Sequence, residues 1–434
     1  MTAVATALLL TVLACLRVLA GAITHVDKGE QALVWFRGDS KQEVQSRILR
    51  AQGAMREAGL DALLLTTEAN VRYFSGYHSP FWQSPTRPWF LVVAVNGNVT
   101  AVVPTIGDDG FRRSHVDRVF TWPSPRPEDE GVSLLQQVLA DTVPRHGRVG
   151  AELGDHMVLR MPATDFQRVQ ANLSSVGVSV VDGGDVIKRL RLIKSPNEIA
   201  KVEATCQAMS AAHERLPAVL SPGMTELAAC RAVKRLFLES GADDTPYVIC
   251  RSGSVSYSDI IGHPTERVLE EGDMLIVDSG CQIDGYFCDF NRNFVFGPPD
   301  AEVIEVHTRL QEAMEAGLRA IRPGARFNDI YAAMASSLGI EADEGVGRMG
   351  HSVGLQLTEW PSIHPGEATP LEEGMVLSVE PSMALPSGAG RFVVIEEVIA
   401  VTDSGYRLLS KRAASTIPEV CSAAPENGSV RVME

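Results

Sequence analysis

The stretch from residue 274 to residue 297, MLIVDSGCQIDGYFCDFNRNFVFG, constrains the fold more than any other part of the chain. Two runs rich in apolar and aromatic residues flank Asp284 and Gly285, a dipeptide typical of the type I′ turn. The stretch is therefore predicted to be a β-hairpin with a two-residue loop. Such a loop determines the register, and the register determines which side chains share each face.

Asp278 and Asp289 are predicted to share one face of this hairpin. A two-residue loop sets Asp278 opposite Asn291 and Gly280 opposite Asp289, so the two aspartates are diagonal neighbours with Cα atoms roughly 7 Å apart. Because glycine has no side chain, open space is expected across from Asp289. Two carboxylates in an otherwise apolar hairpin repel each other and are costly to bury, and a divalent cation removes that cost. Solvated strand ends are the alternative, which the core-type residues around both aspartates disfavour.

Further residues of metal-binding type follow in segments of strand-like composition. His351 lies in the run GHSVGLQLTEW, Glu380 ends an apolar run in GMVLSVEPSM, and Glu396 and Glu397 interrupt GRFVVIEEVIAV. A carboxylate inside such a run is unfavourable unless it binds something, although an exposed face would account for one glutamate of the pair. Four carboxylates and one imidazole suit manganese, iron or cobalt, with zinc also possible. Carboxylates that can bridge in pairs indicate two metal ions.

Length and composition indicate a two-domain enzyme. A chain of 434 residues is too long for one ordinary core, and strand-like and helix-like patterns alternate in its first half as in an α/β domain. Ser195 and Glu198 form a predicted capping box that opens the second domain. The formal net charge of −15 argues against a nucleic-acid partner. The predicted organisation is an apolar leader or extension at 1–40, an amino-terminal domain at 41–190, a metal-binding domain at 191–416 and a tail at 417–434.

The first residues leave the compartment open. Residues 3–22 are mostly apolar, are broken by Arg17 and end in Ala-Gly-Ala, which resembles a signal-peptide end without the basic n-region. The same segment is marginal in length for a transmembrane helix, and an amphipathic helix or a simple extension is the alternative. The chain is expected to be cytoplasmic or, if this segment is a signal or an anchor, secreted or membrane-associated.

Two segments of the second domain are similar to each other. SPGMTELAACRAVKRLFLESGA (221–242) and RPGARFNDIYAAMASSLGI (322–340) each combine a Pro-Gly pair, a short polar cap and an amphipathic helix pattern. A domain built of two similar halves commonly has its site between them, so the ligands are expected there.

Taken together, these motifs resemble the pita-bread metallopeptidase superfamily, which includes aminopeptidase P, prolidase, methionine aminopeptidase and creatinase. GLDALLLTTEANVRYFSGY (59–77) is similar to the amino-terminal creatinase/prolidase domain, and RLIKSPNEI (191–199) is similar to the linker helix of the catalytic domain. The resemblance covers nearly the whole chain after about residue 41. It implies an α/β (α+β) protein whose second domain is a duplicated pita-bread catalytic domain. The five metal ligands that it implies are Asp278, Asp289, His351, Glu380 and Glu396.

The same resemblance makes Glu380 the expected general base beside a water molecule that bridges two ions. The peptidases of the superfamily use two further histidines that hold substrate and shuttle protons. The first of these lies seven residues after the metal-binding histidine, where this chain has Thr358. The second lies before the first metal-binding aspartate. The spacing that the resemblance implies between them is slightly longer than the spacing between His263 and Asp278 in this chain. His263 and His364 are the candidates for the relay, and either can instead be an ordinary surface residue.

This departure leaves two classes of function open. The first is a dinuclear metal-dependent hydrolase of amide bonds, an Xaa-Pro peptidase of aminopeptidase P or dipeptidase type. The alternative is a non-peptidase that acts on a small zwitterion, as the dimethylsulfoniopropionate lyases and ectoine hydrolases of the superfamily do. An inactive, partner-binding member is a third possibility, which the complete ligand set argues against.

Candidate substrate-binding residues lie in two segments. Trp82, Arg87 and Trp89 belong to the loop SPFWQSPTRPWF, and aromatic faces suit a cationic group as arginine suits a carboxylate. Core packing is the alternative explanation for the tryptophans. Thr358 and its neighbours Glu359 and Trp360 are candidates because they follow the metal-binding histidine. The resemblance further implies a homodimer in which loops of the amino-terminal domain reach the neighbour's active site.

Overall fold

The computed structural model describes residues 37–84, 86–253, 259–340, 347–387 and 390–420. The predicted leader up to residue 36 and the predicted tail beyond residue 420 lie outside these ranges. Within them, no helix combines the length and the apolar character that a bilayer crossing requires.

The first part of the chain forms a six-stranded mixed sheet with strand order β4-β3-β2-β1-β5-β6. Its strands are β1 (Ala62–Leu65), β2 (Phe90–Ala94), β3 (Val99–Pro104), β4 (Arg118–Trp122), β5 (Arg148–Ala151) and β6 (Ser179–Asp182). Its helices are α1 (Lys41–Ala58), α2 (Glu68–Ser75), α3 (Asp108–Arg112), α4 (Val132–Thr142), α5 (Ala163–Ser175) and α6 (Gly184–Leu192). β1 pairs antiparallel with β2 and parallel with β5. Because β1 is central and covered on both faces, all four of its residues are apolar and buried.

The second part contains two five-stranded sheets, ordered β18-β10-β8-β7 with β9 on β8, and β12-β11-β13-β16-β17. Its helices are α7 (Pro196–Arg215), α8 (Glu226–Glu239), α9 (Ala301–Ala320) and α10 (Phe327–Leu338). The strands of its first half are β7 (Asp244–Gly253), β8 (Met274–Ile283), β9 (Tyr286–Phe287) and β10 (Phe290–Phe296). The remaining strands are β11 (Gly350–Ser352), β12 (Glu359–Ser362), β13 (Val376–Val379), β14 (Ser382–Ala384), β15 (Phe392–Val394), β16 (Glu397–Val401), β17 (Tyr406–Leu408) and β18 (Glu419–Val420).

The start of α7 and the repeated helix motif are confirmed. The Ser195 side chain accepts from the backbone N–H of Glu198, and the Glu198 side chain accepts from the backbone N–H of Ser195, which completes the capping box. Each Pro-Gly segment leads into a helix, α8 in one half and α10 in the other. The duplicated pattern in the sequence is thus a duplicated helix entry in the fold.

The predicted hairpin register is also confirmed, with one correction. Asp278 pairs with Asn291, and the turn residues Asp284 and Gly285 have φ of 48° and 70°, as a type I′ turn requires. The open space expected above Gly280 is wrong. A Cβ at Gly280 would lie 2.4 Å from Leu357 Cδ1, because a residue of the later loop packs into that position.

Buried ion pairs attach the amino-terminal domain to the turn of this hairpin. Arg72 of α2 donates to Asp284 Oδ1 at 2.9 Å, and Lys201 Nζ of α7 lies 2.7 Å from Asp284 Oδ2. Lys201 also contacts Asp39, which binds Arg47 of α1. These groups lie at the contact between the two domains, so their pairing holds the hairpin turn against the first domain.

A second buried ion pair lies near the other half of the catalytic domain. Glu359, at the start of β12, accepts from Arg191 at the end of α6 and from Lys194 Nζ at 3.0 Å. Burial alone would raise the pKa of Glu359, but the two cations dominate and lower it to about 2. A carboxylate that is buried against two cations is held in its charged form.

This pairing predicts how stability responds to loss of the Glu359 charge. Glu359→Gln leaves two buried cations facing a neutral amide and is expected to lower the free energy of unfolding by about 3–5 kcal/mol. The folded-state pKa of Glu359 lies below its ordinary value of 4.5, so the carboxylate stabilises the fold above pH 4.5 and this contribution is lost as the pH falls toward about 2. Denaturant unfolding at pH 7 and at successively lower pH measures both effects.

Glu372→Gln is the matched control, because Glu372 makes a 3.9 Å pair with Arg189 in which both side chains are exposed. Its cost is expected to stay below about 1 kcal/mol. Equal costs for the two variants, or a difference that does not narrow as the pH falls below 4.5, would contradict the role of Glu359.

Candidate metal centre

His351 lies on an interior strand of the five-stranded sheet in the second half-domain. It lies in β11, between β12 and β13, and its neighbour Gly350 has φ 143°. A Cβ at Gly350 would lie 2.3 Å from the carbonyl oxygen of Ser378, so only glycine permits this close approach of β11 to β13. His351 Nδ1 lies 2.9 Å from the carbonyl oxygen of Ser352. That hydrogen bond assigns the proton to Nδ1 and leaves the lone pair of Nε2 free for a metal.

Glu380 and Glu396 lie at matching breaks in a long bent hairpin. Strand β13 pairs with β16, β14 pairs with β15, and the ladder is interrupted between the two pairs. Glu380 follows β13 and Glu396 precedes β16. The run GRFVVIEEVIAV, whose composition is strand-like, is therefore two strands in two sheets. The interruption lets a glutamate side chain leave the strand alternation and turn toward the other ligands.

The structure brings three of the predicted ligands into one group. One ligand atom each from Asp289, His351 and Glu396 lies within 4.8 Å of the others, and all three residues are buried. His351 Nε2 is 3.4 Å from Asp289 Oδ2 and 4.0 Å from Glu380 Oε1. The side chain of Glu380 is 21% exposed, whereas that of Asp289 is only 7% exposed, so Glu380 lies at the accessible side of the group.

The electrostatics show that Asp278 belongs to the same neighbourhood. Burial raises the pKa of Asp289 well above its ordinary value, and the carboxylates of Asp278 and Glu380 raise it further. Burial also raises the pKa of Glu396 well above its ordinary value, with Asp289 and Glu380 as the next causes. For His351, burial lowers the pKa, which keeps the imidazole neutral as a metal ligand must be.

Two residues that the sequence analysis missed orient these ligands. The hydroxyl of Tyr247 donates to Asp278 Oδ2 at 2.8 Å, and Tyr247 is the cross-strand partner of Gly280. Ser378 Oγ lies 2.7 Å from Glu396 Oε1 and 2.9 Å from the carbonyl oxygen of Asp289. Ser378 was detectable in principle, because it pairs with His351 and is a polar residue in the apolar run VLSV. Tyr247 carries no local signal.

Arg348 is a third missed residue, and it is a cation beside the carboxylates. Its Nε lies 3.2 Å from Glu380 Oε1, and its side chain is 40% exposed. Arg348 lies just before β11 and Glu380 lies just after β13, so the two residues meet only in the folded chain.

Glu396 and Glu397 have different roles, and neither glutamate lies on an exposed face. Glu397 Oε2 lies 3.1 Å from Arg292 Nη2 and accepts from the hydroxyl of Ser410 at 2.5 Å. Arg292 also donates to the backbone carbonyl of Glu396 at 2.7 Å. Glu397 is therefore a buried structural anchor, and neither an exposed residue nor a member of the ligand group.

The predicted relay and substrate residues near His351 are distributed over different environments. His364 lines a cavity of about 490 Å³ together with Arg348, Trp360 and, from the amino-terminal domain, Asp155 and His156. The backbone N–H of Gly366 donates to His364 Nδ1 at 3.1 Å, so Nε2 carries the proton of the neutral ring.

His263 and Thr358 do not line the cavity that contains His364. His263 lies on an exposed loop, where its carbonyl oxygen accepts from Arg251. Thr358 is half-buried and lines a small cavity beside Glu359, which is engaged by Arg191 and Lys194 as described above.

Trp82, Arg87 and Trp89 lie in the amino-terminal domain. Trp82 and Trp89 are 8% and 3% exposed, with ring centroids 5.1 Å apart. The guanidinium of Arg87 lies 5.8 Å from the ring centroid of Phe81, and the Phe81 ring stacks on Trp89. Core packing therefore accounts for the burial of both tryptophans in the single chain. Their contact with a neighbour's active site stays a prediction.

The ligand group fits a divalent cation. Among the described residues, Asp289 Oδ1 is buried without a hydrogen-bond partner, and besides burial the carboxylates of Asp278 and Glu380 raise the pKa of Asp289 and of Glu396. A cation within reach of these oxygens and of His351 Nε2 would supply the missing partner and offset the repulsion. The assignment of all five ligands, including Asp278 and Glu380, stays a prediction.

Comparison with known proteins gives two family matches that together cover most of the chain. Residues 47–193 match the creatinase/prolidase N-terminal domain, and residues 200–403 match metallopeptidase family M24.

Relatives of known name and structure agree with these matches. A probable dipeptidase PepE of Mycobacterium tuberculosis is 29% identical over 366 residues, which are 83% of this chain and 92% of the relative. An Xaa-Pro dipeptidase of Pyrococcus furiosus is 25% identical over 372 residues, which are 85% of this chain and 98% of the relative. The crystal structure of dipeptidase PepE from Mycobacterium ulcerans matches with a TM-score of 0.75 and 27% identity, over 88% of this chain and 100% of that one.

The ligand group predicts that metal binding stabilises the fold. Adding manganese to metal-free protein is expected to raise the free energy of unfolding, by about 2.7 kcal/mol at a concentration a hundredfold above the dissociation constant. Asp289→Asn removes a central ligand and is expected to abolish most of this gain, as measured by denaturant unfolding with and without metal. Asp109→Asn is the control, because the Asp109 side chain is 87% exposed. A gain that survives in Asp289→Asn would argue against this centre.

Proposed function

The chain belongs to the pita-bread metallopeptidase superfamily, with a metallopeptidase family M24 domain after a creatinase/prolidase domain, and from that premise we propose that it cleaves short peptides with proline after the scissile bond. It is a metal-dependent hydrolase. The observation that carries the proposal is the group of Asp289, His351 and Glu396 in a chain whose relatives are named as dipeptidases. The alternative with a small zwitterion was motivated by Thr358 and by the Trp/Arg loop, and the burial of Trp82 and Trp89 in the core weakens the second of these grounds.

The cofactor in this proposal is a pair of divalent ions, with manganese as the first choice. Asp278, Asp289, His351, Glu380 and Glu396 would hold them. The donor set supports this choice, because four carboxylates and one imidazole favour hard or borderline cations. When bound, such ions polarise the amide carbonyl and lower the pKa of water, so that a nucleophile is available near neutral pH.

The chain itself contributes proton transfer and charge placement. Glu380 is the general base in this proposal, because its side chain is 21% exposed, against 7% for Asp289, and an attacking water can reach it. Arg348 Nε, 3.2 Å from Glu380 Oε1, opposes the effect of burial, which raises the pKa of that carboxyl above its ordinary value. Leu357 fills the space above Gly280 and limits access of bulk water from that side.

His364 is the better candidate for the proton relay. It shares a cavity with Arg348, which contacts Glu380, and its Nε2 carries the proton that an amine leaving group needs. His263 is held on an exposed loop and has no comparable connection among the described residues. The relay would thus reach the site from a position thirteen residues after His351 and not from Thr358.

A homodimer is part of the proposal, and it rests on the resemblance alone. The buried state of Trp82 and Trp89 restricts what a neighbouring chain could contact on this loop to Arg87 and other half-buried or exposed residues.

A substrate panel tests the reaction. Manganese-loaded protein is expected to cleave Xaa-Pro dipeptides and to leave Xaa-Ala dipeptides, dimethylsulfoniopropionate and ectoine unchanged. Asp289→Asn is the blank, because it lacks a central ligand, and release of free proline is the measurement. Turnover of either zwitterion without peptide cleavage would replace the proposed function by the alternative.

Paired histidine variants test the relay. His364→Ala is expected to lower kcat by roughly 100-fold or more, the usual contribution of a positioned acid or base, without loss of bound metal. His263→Ala is expected to keep wild-type kcat. The opposite pattern would assign the relay to His263, and two unaffected variants would mean that neither histidine carries it.

A further inference from the structure

A second cavity, of about 450 Å³, lies between the helices of the two half-domains. It is bounded by α7, α9, strand β10 and the segment 411–418 that follows β17. This volume is in the range of small-molecule sites. None of the five predicted ligands lines this cavity. It also shares no lining residue with the cavity that contains His364 and Arg348.

The cavity wall carries polar side chains that lack partners. His213 is 5% exposed, and neither of its ring nitrogens has a hydrogen-bond partner among the described residues. The same holds for both amide atoms of Asn291, which is 1% exposed, for Asn293 Oδ1 and for His307 Nδ1. Buried polar groups are almost always hydrogen-bonded, and leaving one unpaired costs about 1–3 kcal/mol. Several such groups around one cavity indicate a binding partner with both donors and acceptors.

The geometry around His213 explains why it has no partner within the protein. Its ring lies between aromatic rings, with centroids 5.4 Å from Phe237, 5.6 Å from Phe290 and 6.3 Å from Phe294. These neighbours offer no strong acceptor or donor to the ring nitrogens. Burial lowers the pKa of His213 well below its ordinary value, and the charge of Arg292 lowers it further. The ring is therefore neutral, with one donor and one acceptor nitrogen.

The charge at the cavity is positive, in a chain whose formal net charge is −15. Among the described residues that line it, the cations are Arg292, Lys411 and Arg412, and the one carboxylate is Glu214. Lys411 pairs with Glu214 and Arg412 pairs with Glu315, but the four side chains are between 27% and 67% exposed. Pairs between such exposed side chains are worth little, so Lys411 remains available to an anion. Arg412 Nη1 also lies 3.9 Å from Oε1 of the buried Glu397, whose Oε2 pairs with Arg292.

From the unpartnered polar groups and the excess of cations, we infer that this cavity is a binding site for a small carboxylate-bearing molecule. The carboxylate would pair with Arg412 and Lys411 at the mouth, and the polar part of the molecule would hydrogen-bond to His213 and the asparagines within. A free amino acid and a simple carboxylate share this chemistry. The choice of proline as the first probe rests on the proposed function, because proline is what that cleavage releases.

Titration calorimetry on the metal-loaded protein tests this site. L-proline, acetate and prolinamide are the probes, and prolinamide lacks the carboxylate. At least one of the two carboxylates is expected to bind, and prolinamide is expected not to bind. Binding of proline alone identifies an amino-acid site and binding of acetate a simple carboxylate site, and both outcomes support the inference. Failure of both carboxylates to bind, or equal binding of prolinamide, overturns it.

Variants separate this cavity from the metal centre. Arg412→Gln is expected to weaken carboxylate binding roughly tenfold, the usual loss for one hydrogen bond to a charged group, and His213→Phe is expected to weaken it while it keeps an aromatic ring in place. Arg113→Gln, at a side chain that is 74% exposed, is the matched control and is expected to bind as wild type does. Asp289→Asn is also expected to keep carboxylate binding. Binding that is lost in Asp289→Asn and kept in Arg412→Gln would place the ligand at the metal centre and overturn the inference.

Arg412→Gln changes a surface side chain and keeps the test valid if His213→Phe does not fold. Because binding is measured without turnover, failure here leaves the peptidase assay intact, and failure of that assay leaves this one intact.

Discussion

Mutual repulsion of buried carboxylates is the constraint on which the rest of this structure depends. Asp289 and Glu396 are buried in one group near Asp278 and Glu380, and burial raises the pKa of both while the carboxylates of Asp278 and Glu380 raise it further. Buried carboxylates that repel one another oppose folding. The fold can hold them only with a cation among them and with a backbone that fixes their side chains. In both half-domains the strand pairing is interrupted near the predicted ligands. One interruption lies in the hairpin beyond Gly280, and the other two lie around β14 and β15.

The amino-terminal domain contributes to the site through buried charge. Asp284, in the turn of the aspartate hairpin, is held by Arg72 and Lys201, and Glu359, eight residues after His351, is held by Arg191 and Lys194. Arg72 and Arg191 lie in helices of the first domain, whereas Lys194 lies in the segment that leaves it and Lys201 lies in α7 of the catalytic domain. The first domain thus contacts both halves of the catalytic domain and also lines the cavity that His364 shares with Arg348.

Local patterns predicted the parts of the fold that are decided by nearest neighbours. The Asp-Gly turn determined the hairpin register, and the capping box determined the start of α7. Predictions failed where a distant segment enters. Leu357 fills the space above Gly280, and the glutamate-rich run splits into β15 and β16 because its two ends pair with β14 and β13.

The sequence by itself predicted the ligand types and their order, and it determined the face of the hairpin that Asp278 and Asp289 share, because turn chemistry and the strand period of two are local properties. Only the tertiary structure decided that Glu396 turns toward His351 while Glu397 binds Arg292. It also decided that Tyr247, Ser378 and Arg348 contact ligands, and that His364 shares a cavity with Arg348 while His263 lies on an exposed loop. These contacts join residues that are far apart in the chain, and their geometry follows from sheet pairing and domain packing, which no local pattern specifies.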